Sequence, residues 1–142
     1  MSNTNREILY RGKTIKDGKW VYGVPTQHVF GDFQIFSGRV GDGFIDDLYT
    51  VIPETIGQCT GLHDIDGNRI FEGDIVKHYN HSDDSSKFDI GYVFWDEDHL
   101  CFKRTCSGSG TEETSCYIWK NCLYETIGNI HDNPELLEAN NE

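Results

Sequence analysis

The sequence predicts an all-β chain: a partly closed, SH3-like barrel or strongly bent antiparallel sheets, with a short C-terminal helix. Three observations predict it. Fifteen Gly stand against three Pro in 142 residues. Aromatic side chains reach 13% of the chain and fall in short apolar runs. Turn residues separate those runs every few positions, as in strands joined by tight connections. A chain of this length is the usual size of one domain, so 1–142 is expected to fold as a unit. Large rings supply much of its burial and argue against disorder.

The elements follow in order. Ile8-Leu9-Tyr10 is a short apolar patch before a basic turn segment that runs through Lys19. Trp20 to Val24 is aromatic and β-branched, hence strand, and Pro25 is expected to stop it. Val29 to Phe36 reads as a strand bulged at Gly31-Asp32, and Arg39 to Gly43 as a turn. Leu48 to Ile52 is a strand ended by Pro53. Asp66-Gly67 is a hairpin-type turn, because Gly takes positive φ without a Cβ penalty. Ile70-Phe71 runs into a second turn at Glu72-Gly73, and Asp74 to Tyr79 alternates as a strand.

Residues 80–87 are polar and acidic, a mobile loop on this reading. Ile90 to Trp95 and Leu100 to Arg104 are strands, and Gly108-Ser109-Gly110 is a flexible tip. Tyr117-Ile118-Trp119 is a short strand or the edge of a helical turn. Asn133-Pro134-Glu135 is a helix start, with Asn133 as cap, Pro134 in the first turn and acids beside it. The last residues, 139–142, are expected to be disordered. Glu54-Thr55-Ile56-Gly57-Gln58 and Glu125-Thr126-Ile127-Gly128-Asn129 echo each other 71 residues apart. The echo raises the prospect of two similar strands in one sheet, and chance explains it as well.

Charge narrows the function. The net charge is −12, the wrong sign for a protein that displaces counterions from nucleic acid, so direct nucleic-acid binding is not expected. The charge is uneven: the first twenty residues carry a surplus of bases, while 81–142 hold thirteen acids against four bases. An acid excess favours solubility and self-avoidance. It also suits a surface that engages a basic partner, or an inhibitor of a host protein that imitates DNA. No apolar run reaches membrane-span length, and the first residues lack the apolar stretch of a secretory signal. A cytoplasmic protein without a membrane partner is expected.

Cys59, Cys101, Cys106, Cys116 and Cys122 are an odd set of thiols for a disulfide framework. The last four are spaced C-x4-C-x9-C-x5-C, at or beyond the tight knuckles of structural zinc. Incidental or buried thiols are the plainer reading, and no metal or cofactor is assigned. Asp64, Asp66 and Asn68 hint at a calcium loop, but Gly67 comes too early and no helix precedes it. The six histidines form no metalloprotease pattern, and no serine-hydrolase or phosphate-loop signature occurs. An enzyme or nucleotide-binding protein would have to assemble its site from His63, Asp64, Asp74 and His78 across the fold.

The stretch from Thr55 through Thr60-Gly61-Leu62-His63-Asp64-Ile65-Asp66-Gly67-Asn68-Arg69-Ile70-Phe71-Glu72-Gly73-Asp74-Ile75-Val76 to Lys77 resembles the signature of the YopX family of phage and prophage proteins. Cys59 stands where the family pattern has an aromatic. Leu9 to Lys13, Trp20 to Gly23 and Glu125 to Leu136 agree as well, so the resemblance spans almost the whole chain. It implies a small, mostly β protein in the cytoplasm of a bacterial host, and it transfers no catalytic residue. Thr60, Gly61, Asp64, Gly67, Gly73 and Asp74 are then a structural signature that sets backbone geometry at turns. The function expected is that of a non-enzymatic accessory protein acting on a host or phage protein, or on a second copy of itself.

Overall fold

The computed structural model describes residues 7–37, 48–79, 88–106, 115–120 and 122–138. The turn expected at 39–43, the acidic loop at 80–87, the tip at 108–110 and the tail at 139–142 lie outside the described residues. The chain forms two compact units, Met1–Cys59 and Thr60–Glu142. Its strands make two antiparallel sheets, and neither closes among the described residues. The all-β class and the short C-terminal helix hold, in the open rather than the barrel form.

The first unit contains β1 (Tyr10–Lys13), β2 (Trp20–Gln27), β3 (Phe33–Phe36), β4 (Leu48–Val51), a 3-10 turn (Pro53–Thr55) and the start of β5 (Gly57–His63). Here the strand order is β4-β3-β2-β1-β5. Tyr10 was expected to end an apolar patch and Arg11–Lys13 to belong to a turn segment, yet Tyr10–Lys13 is one strand. It is a strand because it lies between two others, with Arg11 and Gly12 buried. Ile35 and Val51 fill the unit's core, and a Cβ on Gly12 would meet the Ile35 side chain at 2.8 Å.

Pro25 does not stop β2. The strand pairs β1 through Trp20–Gly23 and β3 from Val24 onward. Beyond Gly23 one edge of β2 has no strand partner among the described residues, and a proline whose missing N–H faces that edge forfeits no ladder bond. Gly23 at the switch is required by space: a Cβ there would lie 1.9 Å from the Phe36 carbonyl oxygen. The expected bulged strand from Val29 is instead a turn. His28 N–H donates to the Asp32 carbonyl at 2.7 Å, and Val29 and Phe30 stand in solvent before β3 begins.

The second unit contains the remainder of β5, then β6 (Arg69–Phe71), β7 (Asp74–Tyr79), β8 (Phe88–Asp96), β9 (Cys101–Thr105), β10 (Ser115–Tyr117), β11 (Leu123–Asn129) and α1 (Glu135–Glu138). Its five-stranded sheet has the order β10-β9-β8-β7-β11. Ile70, Val76, Val93, Phe102 and Tyr124 form the core, with Leu62, Ile118 and Cys122 packed against it. Each such side chain withdrawn from water stabilises the fold by roughly 1.5–3 kcal/mol. No helix among the described residues is long and apolar enough to cross a membrane.

The echoed pentapeptides land in different sheets, which corrects the expectation of one sheet. Yet their places correspond. Gly57 and Gln58 of β5 pair Arg11 and Tyr10 of β1, while Gly128 and Asn129 of β11 pair Ile75 and Asp74 of β7. The next bond repeats too: Cys59 N–H donates to Leu9 C=O at 2.8 Å, and Ile130 N–H to Gly73 C=O at 2.9 Å. In both units a four-strand meander carries a fifth, echoed strand on its first strand.

Candidate functional site

Two turns of the signature stretch are built by aspartates. Asp64 follows β5 and is 7% exposed. Its Oδ1 accepts from the N–H groups of Asp66 at 3.0 Å and Asn68 at 2.8 Å, and its Oδ2 from Thr126 N–H of β11 at 3.2 Å. Burial works against the charge. The N–H groups of Asn68 and Thr126, with the Asn68 side chain and Asp66, outweigh it and hold the carboxyl below the usual range. Asp74 opens β7 and is 2% exposed. Its Oδ2 accepts from Phe71 N–H at 2.7 Å across the tight turn. Gly61, Gly67 and Gly73 have φ of 89°, 84° and 92°, the left-handed region in which a side chain is strained. Thr60 completes the set, donating from Oγ1 to the Ile70 carbonyl at 2.8 Å. Thr60, Asp64 and Asp74 thus each bond a main-chain group, and the three glycines take positive φ.

Of the four residues of the enzyme reading, His63 and Asp64 are consecutive in the chain, while Asp74 and His78 stand at opposite parts of β7. His63 is exposed at the end of β5. His78 lies four residues beyond Asp74 along β7, about 13 Å at the rise of a strand. There its Nδ1 is 3.0 Å from Arg104 and its ring lies against Tyr124. Arg104 also donates to Asp89 Oδ2 at 2.7 Å. Burial opposes the guanidinium charge, and the bond to Asp89 overcomes it, so its pKa is raised.

The cysteines divide as well. Cys106 and Cys116 meet, with Sγ atoms 2.7 Å apart. Cys101 pairs Asp96 at the other end of β9, and Cys122 rests on the core. No group of three or more His, Cys, Asp or Glu among the described residues is arranged to hold a metal ion.

A third aspartate turn, not singled out by sequence reasoning, borders a cleft of about 510 Å³. Phe94, Trp95, Asp96, Glu97, Asp98, His99, Lys103 and Ser115 line it. Asp96 Oδ2 lies 2.8 Å from Lys103 Nζ and 2.8 Å from His99 Nδ1. Lys103 first, with His99 and the turn N–H groups, holds the Asp96 carboxyl far below its ordinary range against a burial effect larger than the contribution of His99. Asp96 in turn raises the Lys103 pKa. Lys103 Nζ sits 4.6 Å from the centre of the Tyr117 ring, which also has the His99 ring at 5.9 Å and the Trp119 ring at 6.1 Å. Leu100, at φ 54°, closes the turn in the left-handed region.

Around this neutralised centre the surface is apolar and acidic. Trp119 is 62% and Leu100 73% exposed, Trp95 and Tyr117 are also in solvent, and Glu97 and Asp98 are exposed. The sequence signal was Trp95-Asp96-Glu97-Asp98-His99 followed by Lys103. It passed unnoticed because only the cross-strand register brings Lys103 and Tyr117 to Asp96.

A family model described as YopX protein matches residues 10–138. The chain is similar to the crystal structure of protein EF1440 from Enterococcus faecalis at 20% identity, with a TM-score of 0.55, over 92% of this chain and 98% of that one. Likeness at that identity speaks to the fold alone. No curated protein matches.

Proposed function

The chain belongs to the YopX family, and from that premise we propose that it is a phage or prophage accessory protein of the bacterial cytoplasm that acts by protein–protein contact, with no reaction of its own. The docking surface is the cleft at the β8–β9 turn, and the partner is a protein segment rich in Lys or Arg. One observation carries this reading. Exposed Trp95 lines a cleft beside which Tyr117 and Trp119 also stand in solvent; within it Asp96 is ion-paired with Lys103, and the other two acids of the lining, Glu97 and Asp98, are exposed. Rings beside outward acids suit a basic chain, through cation–π and charge contacts. The engagement of Asp64 and Asp74 with backbone N–H groups supports the non-enzymatic side of the proposal. The net charge of −12 supports a basic target; a nucleic-acid-binding host protein blocked by DNA mimicry is the narrower form of the same idea.

Affinity capture from host lysate, with and without phage infection, tests it. The wild-type chain is expected to retain a basic partner that Glu97→Lys/Asp98→Lys loses. Equal capture by both would remove the cleft from the account. Cleavage or turnover of a nucleotide by the purified chain would restore the enzyme reading.

A further inference from the structure

We infer that Cys106 and Cys116 are an oxidation-sensitive dithiol, a modification site at which a small disulfide oxidant of the glutathione class joins the two sulfurs. The inference does not rest on the docking proposal. Cys116 is the middle residue of β10 and stands opposite Arg104 in β9, while Cys106 lies two residues beyond Arg104. Strand alternation therefore puts both thiols on one face of the sheet. They meet there at 2.7 Å, half-buried, with no side chain between them. The other thiols lack such a neighbour in the described fold: Cys59 is buried in the first unit, and Cys101 and Cys122 lie elsewhere in the second.

The chemistry balances without any further reagent. One protein thiolate attacks a sulfur of oxidised glutathione, a mixed disulfide forms and one glutathione thiolate leaves. The second protein thiolate attacks the protein sulfur of that mixed disulfide and expels the second glutathione. Two protein thiols are oxidised and one glutathione disulfide is reduced. The two protons from the cysteines end on the two departing thiolates. Contact between the thiols makes the second step intramolecular, so it outruns further glutathione attack.

Burial, then the hydrogen bond and proximity of Cys116, push the Cys106 thiol up to about 11; Arg104 opposes this and Asp89 adds to it. Thiolate supply then limits the rate, and oxidation is faster near about pH 9 than near about pH 7. β10 is only three residues long and forms the edge of its sheet, so a covalent tie there restrains the strand that carries Tyr117.

The test is peptide mapping by mass spectrometry, without reduction, of the folded full-length chain after exposure to oxidised glutathione. A Cys106–Cys116 crosslink, two hydrogen masses lighter and reversed by dithiothreitol, is the expected main product. Its formation is expected to raise the melting temperature by about 5 °C. Cys106→Ser/Cys116→Ser should abolish both the crosslink and the shift. The inference fails if the folded wild-type chain keeps glutathione on Cys106 or Cys116 as a single adduct, leaves both thiols free, or joins Cys59, Cys101 or Cys122 instead. The wild-type map decides even if the variant does not fold.

Discussion

The two units share a strand plan and differ in what they hang on it. In the first, β2 changes partner from β1 to β3 midway; in the second, β8 changes from β7 to β9 in the same manner. The echoed fifth strands occupy equivalent registers. The chemistry around that plan diverges. In the first unit Thr55 sits in the 3-10 turn, where its Oγ1 accepts from Lys13 N–H and donates to Ile52 C=O. Its counterpart Thr126 stays in the strand, and its N–H is held by Asp64. Tyr10 of β1 corresponds to Asp74 of β7, which seals a tight turn. The β2–β3 turn has exposed Val29 and Phe30, whereas the corresponding β8–β9 turn has an ion-paired centre ringed by aromatics and acids. Backbone pattern is thus what the halves keep, and among the described residues the candidate interaction surface belongs to the second.

The largest expected effect tests the shared plan. Gly23→Ala and Gly91→Ala each drive a Cβ into a backbone carbonyl, at 1.9 and 1.8 Å. Each should lower stability by about 3 kcal/mol or more in denaturant titration; a mild loss at both sites would show that the long strands tolerate repacking.

Asp74→Ala comes next. It strips a buried N–H of its carboxylate and should destabilise by about 1–3 kcal/mol, with a matching fall in melting temperature. An unchanged melting temperature would remove Asp74 from the architecture.

Asp64 gives a pH signature. Its folded-state pKa is below the ordinary 3.8, so its contribution is present above that value and is lost as pH falls through the folded-state pKa. Wild-type stability should therefore decline more steeply in acid, below about pH 4, than that of Asp64→Asn. Parallel curves would contradict the assignment.

Lys103→Met tests the third aspartate turn. Its ammonium pairs with Asp96 at 9% and 13% side-chain exposure, so the variant leaves a largely covered carboxylate without its main partner, and the melting temperature should fall by roughly 2–4 °C. An unchanged melting temperature would mean that the pair adds nothing to this turn.

Much of the fold was legible because local chemistry fixed it. Asp74–Tyr79 alternates and follows Glu72-Gly73, and its strand has the limits read from sequence. Leu48–Val51 ends just before Pro53, as proline geometry requires. Asn133-Pro134 marked the helix. The failures are non-local. Arg11–Lys13 is polar enough to read as part of a turn segment and is strand because β2 and β5 flank β1. Pro25 is tolerated only because β2 changes partner before it. The turn bonds of Asp64 and Asp74 span two to four residues and are local in the sequence, whereas the bond from Thr126 to Asp64 spans 62 residues and left no local signal. Asp96 was not legible, because Lys103 and Tyr117 reach it through register alone, and Cys106 was brought to Cys116 in the same way.

The most direct measurement is partner capture by Asp74→Asn, made at a temperature where circular dichroism shows the variant folded. If the signature acids shape main chain and nothing else, the folded variant retains the partner as well as wild type does, while melting earlier. A folded Asp74→Asn chain that retains no partner would contradict that claim and place Asp74 in the working surface.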